Sequence, residues 1–103
     1  VAPAEERTID NIVFDSKREM QYYANLKLLE RAGIVRDIER QVPFTLFGGE
    51  RVVPICKYVA DFTYYDKDGK FHVVDAKGMK TAMYRLKAKW FSVCYPNLRI
   101  EEV

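Results

Sequence analysis

The stretch YVADFTYYDKDGKFHVVDAKG, from Tyr58 to Gly78, reads as two strands around a tight turn, with Asp61 on the first strand and Asp75 on the second. The turn decides the register. If Asp68-Gly69 forms a two-residue turn, Lys67 pairs with Lys70 and Asp61 faces Ala76. If Lys67-Asp68-Gly69 forms a three-residue loop with Gly69 in the left-handed region, Asp66 pairs with Lys70 and Asp61 lands opposite Asp75. The second register is preferred. It avoids setting Lys67 against Lys70 and offers an Asp66–Lys70 charge pair. Its cost is a pair of like charges facing each other where screening is poor. A proton retained on one carboxyl, or a divalent cation between the two, relieves that cost.

Asp75 also opens the tripeptide Asp75-Ala76-Lys77. A period of two puts Asp75 and Lys77 on one face, about 7 Å apart along the strand. Phe71 and Val73 share that face, while Val74 and Ala76 line the other, so this is an interior strand. Two acids and an amine at its end suit metal-assisted phosphodiester cleavage. Carboxylates hold Mg²⁺, with Mn²⁺ as its substitute, and the metal lowers the pKa of a bound water. The Ala76 backbone carbonyl is a further candidate oxygen ligand. Lys77 can orient the attacking water or stabilise charge on the phosphoryl oxygens. The plain alternative is a solvated strand end with an Asp–Lys pair.

Upstream, DSKREMQYYANLKLLERAG predicts a helix of about 17 residues, with Asp15 or Ser16 as N-cap and Gly33 as the stop. Ser16-Lys17-Arg18-Glu19 fits a capping box, in which Glu19 bonds back to the Ser16 amide. Yet Tyr22, Tyr23, Leu26 and Leu29 lie within about 80° of Glu19 on the helix, so Glu19 sits in the apolar stripe. A carboxylate there is a cap or a member of a site, and a triad with Asp61 and Asp75 makes metal chemistry coherent.

The remaining chain is consistent with one small α/β domain. Hydrophobic residues make up 49% of the 103 and aromatics 14%, enough for a core without staples. Residues 1–13 read as a loose N-terminal arm and 14–103 as the domain. Residues 34–47 are mostly strand, with Val42, Phe44 and Leu46 alternating, and Gly48-Gly49-Glu50 is a turn. Thr81–Cys94 is a second helix, with Met83, Leu86, Trp90, Val93 and Cys94 on its apolar stripe. Leu98–Val103 is a last short strand. The order is α-β-β-β-α-β, a mixed sheet flanked by helices. Cys56 and Cys94 form no CxxC pair and are expected as reduced thiols, Cys94 on the helix stripe. No apolar run approaches about 18 residues, so no membrane partner is expected. No signal-peptide pattern is present, and a cytoplasmic protein is the default expectation.

In this order and placement, Phe14-Asp15-Ser16 with Glu19, then Asp61-Phe62, then Asp75-x-Lys77-Gly78, resemble the PD-(D/E)XK nuclease superfamily. Within it, the set is most similar to phage junction-resolving enzymes of the endonuclease I type and to related small phage proteins of unassigned function. The resemblance covers roughly residues 12–100. It implies a restriction-endonuclease-like core and a catalytic set of Glu19, Asp61, Asp75 and Lys77, with Glu19, Asp61, Asp75 and Ala76 around the metal. It implies an endonuclease acting on branched DNA, such as a Holliday junction, in the host cytoplasm. No nucleotide cofactor is implied. Ala60 stands where the superfamily name has Pro, and the acid before Lys77 is Asp rather than the more frequent Glu. Gln41, at the start of an apolar strand segment, is a candidate for the cleft wall.

Net charge is only +2, so a polyanion must be held by a local patch. Residues 77–89 hold five Lys or Arg and no acid. Lys80, Arg85 and Lys89 project away from the helix stripe, with Lys87 at its rim, as candidate phosphate contacts. Nothing here reads base edges, which favours shape over sequence. Tyr22, Tyr23, Tyr64 and Tyr65 are available to stack on bases or to fill the core. Junction resolution needs two matched cuts, so a homodimer is expected, with residues 41–55 as the candidate surface. The other reading is a non-catalytic DNA- or protein-binding module, and a third is a restriction- or exonuclease-type enzyme with the same site.

Overall fold

A computed structural model describes residues 2–50, 53–78 and 80–103. Its elements are a 3-10 turn at Ala4–Arg7, β1 (Thr8–Ile9), β2 (Ile12–Val13), α1 (Lys17–Arg31), β3 (Val35–Gly48), β4 (Val53–Asp66), β5 (Phe71–Asp75), α2 (Ala82–Cys94) and β6 (Ile100–Glu102). The fold is α/β: β3-β4-β5-β6 form a mixed sheet, antiparallel until β6 joins β5 in parallel. A parallel neighbour needs a crossover, and α2 supplies it.

The hairpin takes the three-residue loop. Tyr65 pairs with Phe71 and Phe62 with Val74, which sets Asp61 against Asp75. Gly69 sits at φ +82°, where a side chain would be strained. Asp66 does not form the expected charge pair with Lys70. Its carboxylate instead accepts the backbone amides of Asp68 (2.9 Å) and Lys70 (3.0 Å), closing the loop from within.

α1 starts where Ser16 Oγ accepts the Glu19 amide (3.1 Å) and stops ahead of Gly33, at φ +77°. It buries Tyr23 and Leu26 against Phe14, Phe62 and Val74. The first residues are not a loose arm. Asp10 and Asn11, both at positive φ, make the two-residue turn of a small hairpin. Ile9 and Ile12 pack on the α1 core, and Tyr23 Oη donates to Asp10 (3.1 Å).

α2 is rotated from its expected orientation. Tyr84, Phe91 and Cys94 face the sheet, packed with Tyr58 and Phe44, while Met83, Leu86 and Val93 are exposed. The reason is ring packing: Phe91 meets Phe44 edge-on at 5.2 Å and Tyr58 at 5.4 Å, and such rings bury more area than the aliphatic stripe. Trp90 is half-buried, donating to the Phe47 carbonyl (2.8 Å). The cysteines are free: Cys94 is buried and Cys56 half-buried. No helix is long and apolar enough to cross a membrane among the described residues.

At the loop end of the sheet, His72 is clamped. Nε2 lies 2.8 Å from Asp66 and Nδ1 2.5 Å from Glu101, and the ring stacks on Tyr64 at 4.6 Å. Partial burial works against the charged ring, but the two carboxylates outweigh it and hold its pKa above the ordinary value. This stabilisation is therefore complete below about pH 6.5, the unfolded value, and is lost as pH rises through the folded pKa. Thermal melts should fall as pH is raised across that window. His72→Gln should flatten the dependence and cost on the order of 1 kcal/mol at low pH. An unchanged pH profile in the variant would contradict the clamp.

Candidate active site

Three acids from three elements meet at the opposite end of the sheet. Glu19 comes from the first turn of α1, Asp61 from mid-β4 and Asp75 from the end of β5, exposed by only 3%, 3% and 2%. Lys77, just beyond β5, places Nζ 3.2 Å from Asp61 Oδ1 and 3.4 Å from Asp75 Oδ2. Asp61 Oδ2 accepts the Ala76 amide at 2.8 Å, so a carboxylate takes up a backbone donor where the β4–β5 ladder ends. Asp75 Oδ1 accepts the Lys77 amide at 3.1 Å.

Gln41 links the helix to the sheet. Its amide donates to Glu19 (3.0 Å) and approaches Asp61 at 3.5 Å. Gln41 is a strand residue at φ +51°, an outlier for a side-chain-bearing residue. The strand stays in register around it, with Arg40 on Phe62 and Val42 on Ala60, so Gln41 lies directly across from Asp61. The faces of β4 change at this point. Phe62 and Tyr64 pack with the α1 core, whereas Tyr58 and Ala60, of the same parity, pack under α2. A period of two forbids that in a regular strand.

Glu19 and Asp75 both bind their protons more tightly than ordinary carboxyls. For each the first cause is burial and the second is the charge of Asp61, opposed at Glu19 by Arg40 and at Asp75 by Tyr58 and Lys77. Burial alone would lower the Lys77 pKa, but Asp61 and Asp75 more than reverse it, so its ammonium stays charged. The Glu19 side chain is more than a cap: besides the Asp15 backbone it engages Gln41 and, at 3.8 Å, Arg40. Arg40 stacks over Phe14 at 4.4 Å, and its buried Nε has no hydrogen-bond partner.

Glu19, Asp61, Ala76 and Lys77 line a cleft of about 230 Å³ with Asp15, Ser16 and Gly78. Asp75 lies behind it, covered by Lys77 and by Tyr58, whose hydroxyl donates to Asp75 Oδ2 at 2.9 Å. Gln41 lines an adjoining groove of about 390 Å³ that shares Asp15 and Lys77 with the cleft. Of the four basic residues expected on α2 and ahead of it, only Lys87 lines that groove. Lys80 pairs with Glu102 (3.8 Å), Lys89 borders a separate depression, and Arg85 is exposed. Tyr22, Tyr23 and Tyr64 pack in the α1 core, and Tyr65 meets the tilted ring of Phe71 and the Arg36 guanidinium, so none of the four lines the cleft. Sequence reasoning missed Tyr58, Arg40 and Lys57, the last on the groove wall.

The family profile described as a protein of unknown function, DUF1064, matches residues 3–103. The chain belongs to the DUF1064 family. No curated protein and no solved structure matches it. What a DUF1064 protein does must therefore be argued from the cleft itself. As its side chains stand, no three His, Cys, Asp or Glu side chains are grouped as a metal site among the described residues. Lys77 Nζ fills the space between the two aspartates.

A carboxyl with a raised folded pKa weakens the fold as pH climbs past its unfolded value, near 4 for Asp. Asp75→Asn should therefore raise the melting temperature at neutral pH. The gain should vanish in acid, where both forms are uncharged. A destabilised Asp75→Asn at neutral pH would show that Asp75 is already well compensated.

Proposed function

We propose that this DUF1064 protein is a divalent-metal-dependent endodeoxyribonuclease with a restriction-endonuclease-like core. The reading rests chiefly on one observation: Lys77 bridges Asp61 and Asp75 inside a cleft whose third acid, Glu19, is tied to Asp61 through Gln41. The donor chemistry fits a hard cation. Beyond neutral donors, three nearly dry carboxylates have two cations near them among the described residues, Lys77 and a distant Arg40, which leaves excess negative charge that oxygen-liganded Mg²⁺ or Mn²⁺ would neutralise. Asp61, Asp75, the Ala76 carbonyl and Glu19 are the proposed ligands. When bound, the metal supplies a water acidified for attack and charge for the phosphoryl oxygens.

The chain's own groups divide the remaining work. Lys77, kept charged by two aspartates, is placed to stabilise negative charge developing on the phosphate. Glu19 lines the cleft, held there by Gln41, where a carboxylate oxygen not taken up by the metal would accept the attacking water's proton. Gln41 thereby couples α1 to the strand carrying Asp61. Branched DNA as the substrate, and the two matched cuts of a homodimer, rest on the resemblance to junction-resolving enzymes. The candidate dimer surface, residues 41–55, includes Arg51 and Val52, which lie outside the described residues.

A second reading, a non-catalytic binding module, draws on Lys77, whose ammonium lies between Asp61 and Asp75. Cleavage of a four-way junction and of linear duplex, in Mg²⁺, Mn²⁺ or EDTA, separates the two. Metal-dependent cutting is expected from wild type, and Asp61→Asn should lower it by at least about a thousandfold while leaving DNA binding intact. Wild type that cuts no DNA in either metal would leave the binding module standing.

A further inference from the structure

We infer that the groove beside the carboxylate cleft carries the sugar–phosphate backbone of the strand being cut, with Lys57 and Lys87 gripping the phosphates next to the one attacked. This rests on the nuclease reading and adds to it the path of the substrate.

The groove is larger than the cleft, about 390 against 230 Å³, and adjoins it, since Asp15 and Lys77 line both. A strand whose scissile phosphate reaches Lys77 has this groove as its wider continuation. Its walls come from different elements: Lys57 from β4 and Lys87 from α2. Of the three lysines that line it, Lys77 is held by Asp61 and Asp75, which leaves Lys57 and Lys87 against a single lining acid, Asp15. Lys57 and Lys87 make no ion pair among the described residues, whereas Lys80 is engaged with Glu102. Their charge is thus available to a polyanion. Val59, 41% exposed, and Met83, 60% exposed, add apolar surface suited to sugar and base faces. Ammonium groups over an apolar wall grip a backbone without reading base edges, so recognition here is independent of sequence. Of the basic run at residues 77–89, Lys77 and Lys87 line the groove, and Lys57, well outside that run, joins them.

The test measures binding of a labelled four-way junction by anisotropy, with Ca²⁺ replacing Mg²⁺, across a salt series. Lys57→Ala/Lys87→Ala should weaken binding about tenfold or more and reduce the salt slope by about 2. Arg85→Ala/Lys89→Ala, off the groove, should stay within about twofold of wild type. Lysine-variant binding equal to wild type overturns the assignment. So does an equal loss from the Arg85/Lys89 variant, or displacement of DNA by polyglutamate of matched charge, which would mark an acidic protein as the partner. Cleavage by wild type in Mg²⁺ is scored in parallel. If wild type cuts while the Lys57/Lys87 variant binds normally, the groove fails and the nuclease stands. If wild type cuts nothing, the nuclease fails whatever the binding shows.

Discussion

Two aspartates set against each other across β4 and β5 bring like charge into a space that solvent barely reaches, and Lys77 is what makes this tolerable. Without that ammonium, Asp61 and Asp75 would face the full repulsion of a poorly screened pair. The hairpin enforces the juxtaposition. Gly69 fixes the loop, the loop fixes the register, and the register puts the two acids opposite one another. A slip of one residue would turn Asp61 toward Ala76 and dissolve the cluster. The short reach from Asp75 to Lys77 then returns the ammonium to both carboxylates.

The cluster also depends on irregular backbone. Gln41 leaves the extended region at the position facing Asp61, and β4 changes the core it serves at that same point. The consequence is that Asp75 reaches Tyr58 under α2 while Asp61 reaches Gln41 and, through it, Glu19 on α1. One short strand segment thus joins residues belonging to both layers. Strain and buried charge together are a cost that a fold selected for stability alone would shed, which is why such features gather at functional sites.

Much of this was legible in the chain. Asp-Gly in the hairpin loop, with Asp66 and Lys70 flanking, carried the register, and the position of Glu19 within an apolar stripe marked it as buried. Tyr58 was hidden because an even spacing pattern predicts a regular strand, and no residue type announces a change of face. On α2 the expected stripe is right at Cys94 and in part at Trp90 but wrong at Met83, Leu86 and Val93, which recur as regularly as the buried Tyr84 and Phe91. Only the facing rings of Phe44 and Tyr58, remote in sequence, decide between them. The small hairpin at Asp10-Asn11 was readable as a turn, but two-residue strands are too short for alternation to show.

The two ends of the sheet hold comparable charge sets with opposite consequences. At the loop end, His72 sits between Asp66 and Glu101, whose side chains are 26% and 39% exposed. Water and salt screen whatever charge is left over, so the cluster acts as a clamp. At the other end, Asp61 and Asp75 side chains are only 4% and 2% exposed, and Glu19 4%. The same kind of excess negative charge cannot be screened there by solvent, and it raises the proton affinity of Glu19 and Asp75 instead. A carboxylate cluster that water cannot neutralise must find protons or cations, and Lys77 supplies one such cation here. The difference between clamp and candidate active site is thus one of dielectric more than of residue type: similar acids, made dry, hold their protons more tightly.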